Sequence, residues 1–560
     1  MNYPERRLFL VLFSLISTLF FCCHGKPGGQ AVTDHVENPK KMDEHVGTDL
    51  KSVLQYAAAN DDRMNDKTTL QYRKLEDSLY EVNGYTPIWS DKERWVPLGD
   101  SLLAFIRDSK DYGLFPSDYH WDALSFIQRI VEEDSNARKN AALWTRGDLL
   151  LTDAFFTLVK DLRNGRMDFD SVTLRKDSVM SDSLFTTTLA SARGLGAIAP
   201  VLDSLEPRHP GYDSLKRYLR DFLATAHFRQ NTWLDYPYKD SAVFYNALGH
   251  RLQESGYIDS GVTQFDTAML ASAMRRYQTI NKLKVRGKPT SEMVNMMNNT
   301  DWEKFKRIAI NMDRYKHLPD TLPKTYVWVD LPAYFLQVVD SDTVVFESRV
   351  IVGSPKTRTP LLTSEISNFV TYPQWTVPMS IIMKEMLPAI QKNVNYLAKQ
   401  NLMVVDDNDS VRDPTKINWR RLNKHNFPFQ LKQRQGDDNS LGVMKFNFRN
   451  KYDVYLHDTN VRWMFDERYR AVSHGCVRVK DWAKLSAFLI RKDTMKYHPD
   501  TLKAWIARQE KHTVYGFAKV PIFIRYYTVV GRKGKLAFYD DIYGEDRELR
   551  NRYFAKKPIY

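Results

Sequence analysis

Asp453-Val454-Tyr455-Leu456-His457 and then Ser473-His474-Gly475-Cys476-Val477-Arg478, whose cysteine lies nineteen residues beyond His457, read as a strand end and a glycine turn that carries a thiol. The chain has three cysteines, and Cys22 and Cys23 lie at the end of an apolar run that reads as an export signal. Cys476 is then the single cysteine of the working protein. A lone cysteine in an exported protein cannot close an internal disulfide, so reactive thiol chemistry is the reason to keep it. A free cysteine also serves as a small buried hydrophobe, but the flanking residues decide against that here. Gly475 permits a tight turn with close backbone approach, and two histidines lie near enough in sequence to be brought beside the sulfur.

The nucleophile is the thiolate, so such a cysteine needs a base or a positive field to bring its pKa below about 8.5. His457 follows an alternating strand, and the loop 458–472 can carry the chain back to set Cys476 next to it. His474 is the rival, because side chains at i and i+2 share a face on extended backbone. We favour His457 as the base, since separate elements let the imidazole be aimed at the sulfur. His474 and Arg478 are then expected to shape the pocket or bind a carboxylate. Backbone N–H groups around Gly475 and Cys476 can point at a developing oxyanion. One cysteine with scattered histidines lacks zinc-ligand spacing, so no metal is expected. Gly353-Ser-Pro-Lys356 is no phosphate loop, because the glycine pattern and the following helix are missing.

Upstream of the motif, Lys324 to Asp330 alternates, Ala333 to Val339 is apolar, and Thr343 to Gly353 is rich in β-branched residues, which predicts strands from about 320 onward. A helix-rich segment of about 381–434, entered through Trp375 and Pro378, interrupts them, and strand character returns at Gly442 to Phe448. An insertion just ahead of the catalytic residues is placed to act as a lid. A further strand pair is expected in an extension at 496–560, near Val520–Val529 and Leu536–Asp541.

Earlier still, apolar spacing is helical from 51 to about 240, with Leu102, Leu103 and Ile106 on one face and a wider apolar surface from Leu149 to Leu162. Residues 242–298 form a compact helical unit closed near Gly287 and Thr290. The polar, Gly/Pro-punctuated stretch 26–50 reads as a flexible linker. Residues 1–25 have a basic start, a short apolar core and a small-residue exit, the parts of a secretory signal cleaved after Gly25. An uncleaved membrane anchor and lipidation at Cys22 or Cys23 are the alternatives, and Phe21 makes a poor lipidation site. Any membrane attachment would run through this segment alone.

A length of 560 residues predicts three or four domains. The net charge of +13 invites a nucleic-acid reading, but basic and acidic residues interleave and there is no arginine-rich arm, so no nucleic-acid partner is expected. An anionic wall polymer or membrane surface suits an exported basic protein, and a lysine-rich solvated surface accounts for the charge equally well.

His457 with Ser473-His474-Gly475-Cys476 resembles the signature of L,D-transpeptidases with a YkuD-type catalytic domain. Tyr455 to Thr459, Cys476 to Val479, Arg349 to Gly353, Trp375 to Pro378 and Asp540 to Gly544 resemble the large YcbB-like members of Gram-negative bacteria. Pro87-Ile88-Trp89, Gly113 to Tyr119 and Asp161 to Arg166 resemble that group's scaffold, and 242–298 is similar to its peptidoglycan-binding domain.

The resemblance implies a multidomain α+β protein: a helical scaffold domain (51–240), a helical peptidoglycan-binding domain (242–298) and a β-rich catalytic domain (320–495) with an inserted helical lid. It implies Cys476 as nucleophile and His457 as proton acceptor, with Tyr455, Ser473, His474, Gly475 and Arg478 shaping the pocket or oxyanion site. Arg478 stands where many members have Asn, and Asp458 where some have Ser, which leaves open what orients His457. The implied reaction is acyl transfer between peptidoglycan stem peptides. A tetrapeptide donor loses D-Ala to form a thioester, and the diamino acid amine of a second stem resolves it to a 3→3 cross-link, without metal or organic cofactor. Water as acceptor would make the same site an L,D-carboxypeptidase. A cysteine endopeptidase and a non-catalytic wall-binding protein are the rival classes. A periplasmic or cell-envelope location follows from the same resemblance.

Overall fold

Thr325-Tyr-Val-Trp-Val-Asp330 alternates between two apolar faces, and both are covered in the computed structural model, which describes residues 35–64, 68–168, 173–175, 180–493 and 497–558. Val327 and Val329 point into one core with Leu336, Val350, Ile366, Phe446, Leu456 and Val477. Tyr326 and Trp328 point the other way, onto Phe305, Ile308 and Tyr315 of helix Asp301–Lys316 and Leu215 of helix Pro210–Thr225. Period-two alternation with apolar residues on both sides is what a sheet covered on both faces requires.

Among the described residues nine strands form that sheet: β1 (Thr325–Asp330), β2 (Phe335–Asp340), β3 (Thr343–Gly353), β4 (Leu362–Thr371), β5 (Met444–Phe448), β6 (Leu456–His457), β7 (Ala471–Ser473), β8 (Val477–Val479) and β9 (Thr513–Arg525). Their order is β7-β3-β8-β6-β5-β4-β9-β1-β2, and a further β2–β3 pairing makes the hydrogen-bonded circuit closed. Closure leaves the body of the sheet without open edges. Helices Trp482–Leu489 and Pro499–Ala507 cover one core through Leu485, Leu489 and Leu502.

The structure revises four expectations. The sheet runs on past the expected boundary at 495/496, because β9 lies between β4, which it pairs antiparallel, and β1, which it pairs parallel. Val520 to Arg525 is apolar on both faces and belongs inside a sheet, not at the end of an extension. The strand pair expected there is a shorter hairpin, Val529–Arg532 with Lys535–Phe538, turning at Lys533 and Gly534, both at positive φ.

The inserted segment is mixed rather than helical. Helices Leu387–Lys392 and Asn395–Lys399 pack with a four-stranded sheet of Trp375–Thr376, Gln430–Gln433, Leu402–Val405 and Val411–Arg412 around Ile390, Leu397, Val404, Trp419 and Leu431. Strands of two to four residues are too short for their period to show in the sequence.

The linker expected to reach residue 50 ends earlier, because helix Met42–Ala59 buries Met42, Val46, Leu50 and Leu54 at a strict four-residue spacing. The expected signal or anchor at 1–25, Cys22, Cys23 and linker residues 26–34 lie outside the described residues. Among the described residues no helix is long and apolar enough to cross a membrane.

The chain divides into two compact units, 1–100 with 123–153, and 101–122 with 154–560, so the expected scaffold at 51–240 contributes to both. In the first unit Asp148 is buried and accepts from the Ile88 and Trp89 amides (2.9 Å each) and the Tyr80 hydroxyl (2.6 Å). Burial pushes its carboxyl up to about 6 against those bonds. Pro87-Ile88-Trp89 is therefore a structural motif. In the second unit, Tyr119 donates to Asp161 (2.9 Å), and Arg166 pairs with Asp118 and stacks on Phe115. The two upstream motifs thus meet each other.

Residues 241–298 fold as three helices, Ser241–Glu254, Thr267–Ile280 and Ser291–Asn298, around Leu248, Leu252, Leu270, Met274, Met293 and Met297. Asp240, Asp266 and Thr290 cap their N-termini by accepting from Val243, Met269 and Met293 N–H.

Candidate active site

The parallel pairing of β6 with β8 sets Leu456 opposite Val477 and His457 opposite Arg478. The Val477 N–H donates to the Tyr455 carbonyl (3.2 Å), which lays the start of β8, and Cys476 just before it, alongside the strand that ends in His457. The Cys476 sulfur is partly exposed and faces the Asp453 carbonyl oxygen at 4.0 Å.

The turn ahead of Cys476 is built by its own polar side chains. Gly475 has φ +122°, a conformation L-residues rarely adopt. Its N–H donates to the Ser473 hydroxyl (3.2 Å), which in turn donates to the Cys476 carbonyl (2.6 Å). Thr359 donates to the Gly475 carbonyl (2.8 Å), and Thr357 donates to the Ser473 carbonyl (2.9 Å). Tyr543 accepts from the Thr359 N–H (3.1 Å) and donates to the Gly353 carbonyl (2.7 Å). Ser473 is buried and committed to this turn, and the Asp540–Gly544 motif acts through Tyr543 to brace it.

His457 is 5% exposed, and burial pushes its imidazole down to about 3, with the charges of Arg478 and Lys445 acting in the same direction. The backbone oxygens of Asp458 and Leu441 beside the ring oppose this, although Nδ1 makes no hydrogen bond of good geometry among the described residues. The imidazole is therefore neutral near pH 7 and able to accept a proton.

The Asp458 carboxylate is elsewhere engaged. It accepts from the Val443 N–H (3.0 Å) and from Arg462 Nε (3.1 Å). Gly442 lies against it at φ +62°, and a Cβ there would stand 2.3 Å from Asp458 Oδ2. Gly442→Ala is expected to cost about 1–3 kcal/mol through strain and displacement of the carboxylate. The midpoint of urea unfolding measures this, and an unchanged midpoint would show that the loop accommodates a side chain.

Gly475 at φ +122° interrupts the extended backbone on which His474 and Cys476 would share a face, and His474 lies against the inserted segment. Its Nε2 lies 2.8 Å from Glu385 Oε1, and both side chains are about half exposed. Glu385 belongs to the inserted segment, which therefore touches the cysteine loop directly.

Burial raises the Cys476 thiol pKa, while hydrogen bonds from Tyr455 and the charges of Lys445 and Arg478 pull it down. Tyr455 is itself pushed up, by burial first and then by the neighbouring sulfur. Its ring centre lies 5.6 Å from that of His457. Lys445, Glu385 and Thr359 escape sequence reasoning. The alternation Met444-Lys445-Phe446-Asn447-Phe448 does place Lys445 off the core face, but nothing local says which strand lies next to it.

Residues 324–496 match the family model described as the L,D-transpeptidase catalytic domain, and residues 74–219 match that of a scaffold domain. A Haemophilus influenzae protein named "Putative L,D-transpeptidase" is 33% identical over 244 residues, 43% of this chain and 48% of the relative, so the chain spans about half the length of the curated relative it matches. Among solved structures, an Enterococcus faecium L,D-transpeptidase mutant is 12% identical across 48% of this chain and 86% of its own, with a TM-score of 0.18. An L,D-transpeptidase from Stackebrandtia nassauensis is 13% identical across 53% and 97%, with a TM-score of 0.16. Superpositions this weak add nothing to the sequence matches. On those matches residues 324–496 carry an L,D-transpeptidase catalytic domain, with a scaffold domain at 74–219 ahead of it.

Proposed function

We propose that the protein joins peptidoglycan stem peptides by 3→3 cross-links in the cell envelope. The observation that carries this is Cys476, in a turn braced by Ser473 and Thr359, beside the neutral, buried His457 of the neighbouring strand. The thiol proton passes to the His457 imidazole and the thiolate attacks the carbonyl joining the diamino acid to the terminal D-Ala. The Gly475 N–H is taken by Ser473, so the oxyanion donor offered by this turn is the Cys476 N–H. As the C–N bond breaks, D-Ala leaves with the proton held by His457, and a thioester remains. The amine of a second stem's diamino acid attacks that thioester and gives its proton to His457. The C–S bond breaks, and the thiol is restored.

Mass spectrometry of the full chain incubated with disaccharide-tetrapeptide tests this. Cross-linked dimers with released D-Ala are expected. Released D-Ala without dimers would make the protein a carboxypeptidase, and neither product would overturn the proposal.

The segment at 381–434 acts as a lid in this scheme, with Glu385 on His474 as its contact to the cysteine loop. Closure excludes water and favours the amine over hydrolysis. An exposed ion pair contributes only about 0.2–1 kcal/mol, so Glu385→Ala is expected to lower the ratio of cross-linking to hydrolysis by no more than about fivefold, while Cys476 still reacts with a small alkylating reagent. Shortening the segment at its tips should move the ratio further. A ratio unchanged in both variants counts against gating.

A further inference from the structure

Lys445 stands on β5 between Met444 and Phe446, which are in the core, so its own side chain projects from the other face and is half-buried there. It pairs in register with His457 on β6, and His457 pairs with Arg478 on β8. Residues in one row across neighbouring strands project from the same face. Tyr455, two residues before His457, shares that face, and Lys445 Nζ lies 4.1 Å from the centre of its ring. Two cations therefore flank the imidazole, next to the strand start that carries Cys476.

Neither cation forms an ion pair among the described residues. Arg478 Nη1 reaches only the Met464 sulfur at 4.0 Å, and its Nε is buried without a hydrogen-bond partner. Among the described residues no carboxylate forms an ion pair with either cation. Asp458 is held by Val443 and Arg462, Glu385 faces His474, and Asp453 is exposed. Charges taken out of water are ordinarily paired, because leaving them without a counter-charge is costly. Burial lowers the Lys445 pKa, and the sulfur's charge is the first influence opposing it. The Asp453 carboxylate also acts on Lys445, from an exposed position and without an ion pair, so the anion formed within the patch itself is the Cys476 thiolate.

We propose that Lys445 is the counter-charge of the Cys476 thiolate, holding it from the β5 side of His457 while Arg478 holds it from the β8 side. The ionisation is a proton transfer from Sγ to His457 or to solvent, with no change in redox state. The groups acting on or bordering the sulfur are Lys445 on β5, Tyr455 on β6, Arg478 on β8 and the Asp453 carbonyl in the loop before β6, with His457 in the row between Lys445 and Arg478. Of these, only Lys445 and Arg478 bear a fixed positive charge near pH 7. The inference rests on Cys476 being the nucleophile of the proposed function, but it can fail separately from it.

The test is the pH dependence of Cys476 alkylation by iodoacetamide, a neutral reagent that needs no peptide substrate, in the full chain and in its Lys445→Met and Lys445→Arg variants. An opposite charge within about 4–6 Å favours the ionised form by one to three pKa units. Lys445→Met is therefore expected to slow alkylation at pH 7 about tenfold and to move the profile up by about one pH unit. Lys445→Arg should restore most of the rate and keep the profile in place. A profile unmoved by Lys445→Met overturns the proposal, and with a raised KM for a tetrapeptide donor it would assign Lys445 to a substrate carboxylate instead. An arginine variant as slow as the methionine variant also overturns it, because charge would then not be what matters. Cross-linking by the unaltered chain reports on the proposed function independently of all three outcomes.

Discussion

Cys476→Ser is expected to abolish both the acyl-enzyme and the cross-linked product. Of the three cysteines in the chain, Cys476 alone lies in the catalytic domain, so no second thiol there can substitute. Burial raises the thiol's pKa and Lys445 and Arg478 oppose that rise, whereas the same field acting on a serine hydroxyl leaves it far from ionised near pH 7. Intact-mass spectrometry after mixing with a tetrapeptide donor measures the adduct, and chromatography measures the dimer. A serine variant of full activity would remove Cys476 from the mechanism.

His457→Ala is expected to lower the single-turnover acylation rate by about 10²–10⁴, the usual contribution of a general base, whereas His474→Ala should change it little. His457 is buried on β6 in register with Arg478, and His474 is exposed against Glu385. If the two variants ranked the other way, the roles would be exchanged. Burial also fixes the pH dependence. A histidine held down to about 3 stays neutral as pH falls from 7 to 5, so no acid limb with the ordinary imidazole midpoint near 6.5 should appear in the acylation profile. Such a limb would show that His457 is solvated in the working enzyme.

The parts of this site that were legible in the sequence are those carried by local chemistry. A strand ending in His457 and a glycine turn bearing Cys476 could be read directly, as could the strands from Thr325 to Gly353, because alternation and turn residues are short-range signals. Contacts set by register stayed hidden. Lys445 is one alternate residue of a strand until β5 is known to lie beside β6, and Glu385 is one surface carboxylate until its segment is folded over the cysteine loop. Asp458 was left open as a candidate to orient His457, and its commitment to Val443 and Arg462 emerges only once Gly442 brings that backbone close. That the sheet continues past 495/496 stayed hidden for the same reason, since nothing in Thr513–Arg525 says that its partners lie some 150 and 200 residues earlier in β4 and β1.

The position of β9 also bears on how the molecule is made. It is the last of the nine strands to be synthesised, yet it is the one that joins β4 to β1. Until it emerges, the growing chain holds two strands with bare hydrogen-bonding edges, each a template for another copy doing the same. Joining them closes contacts over very long loops, a slow event in β-rich folds. The reactive patch at 445–478 is therefore synthesised before the strand that closes the sheet around it. The interval between is when the sheet is most exposed to mispairing.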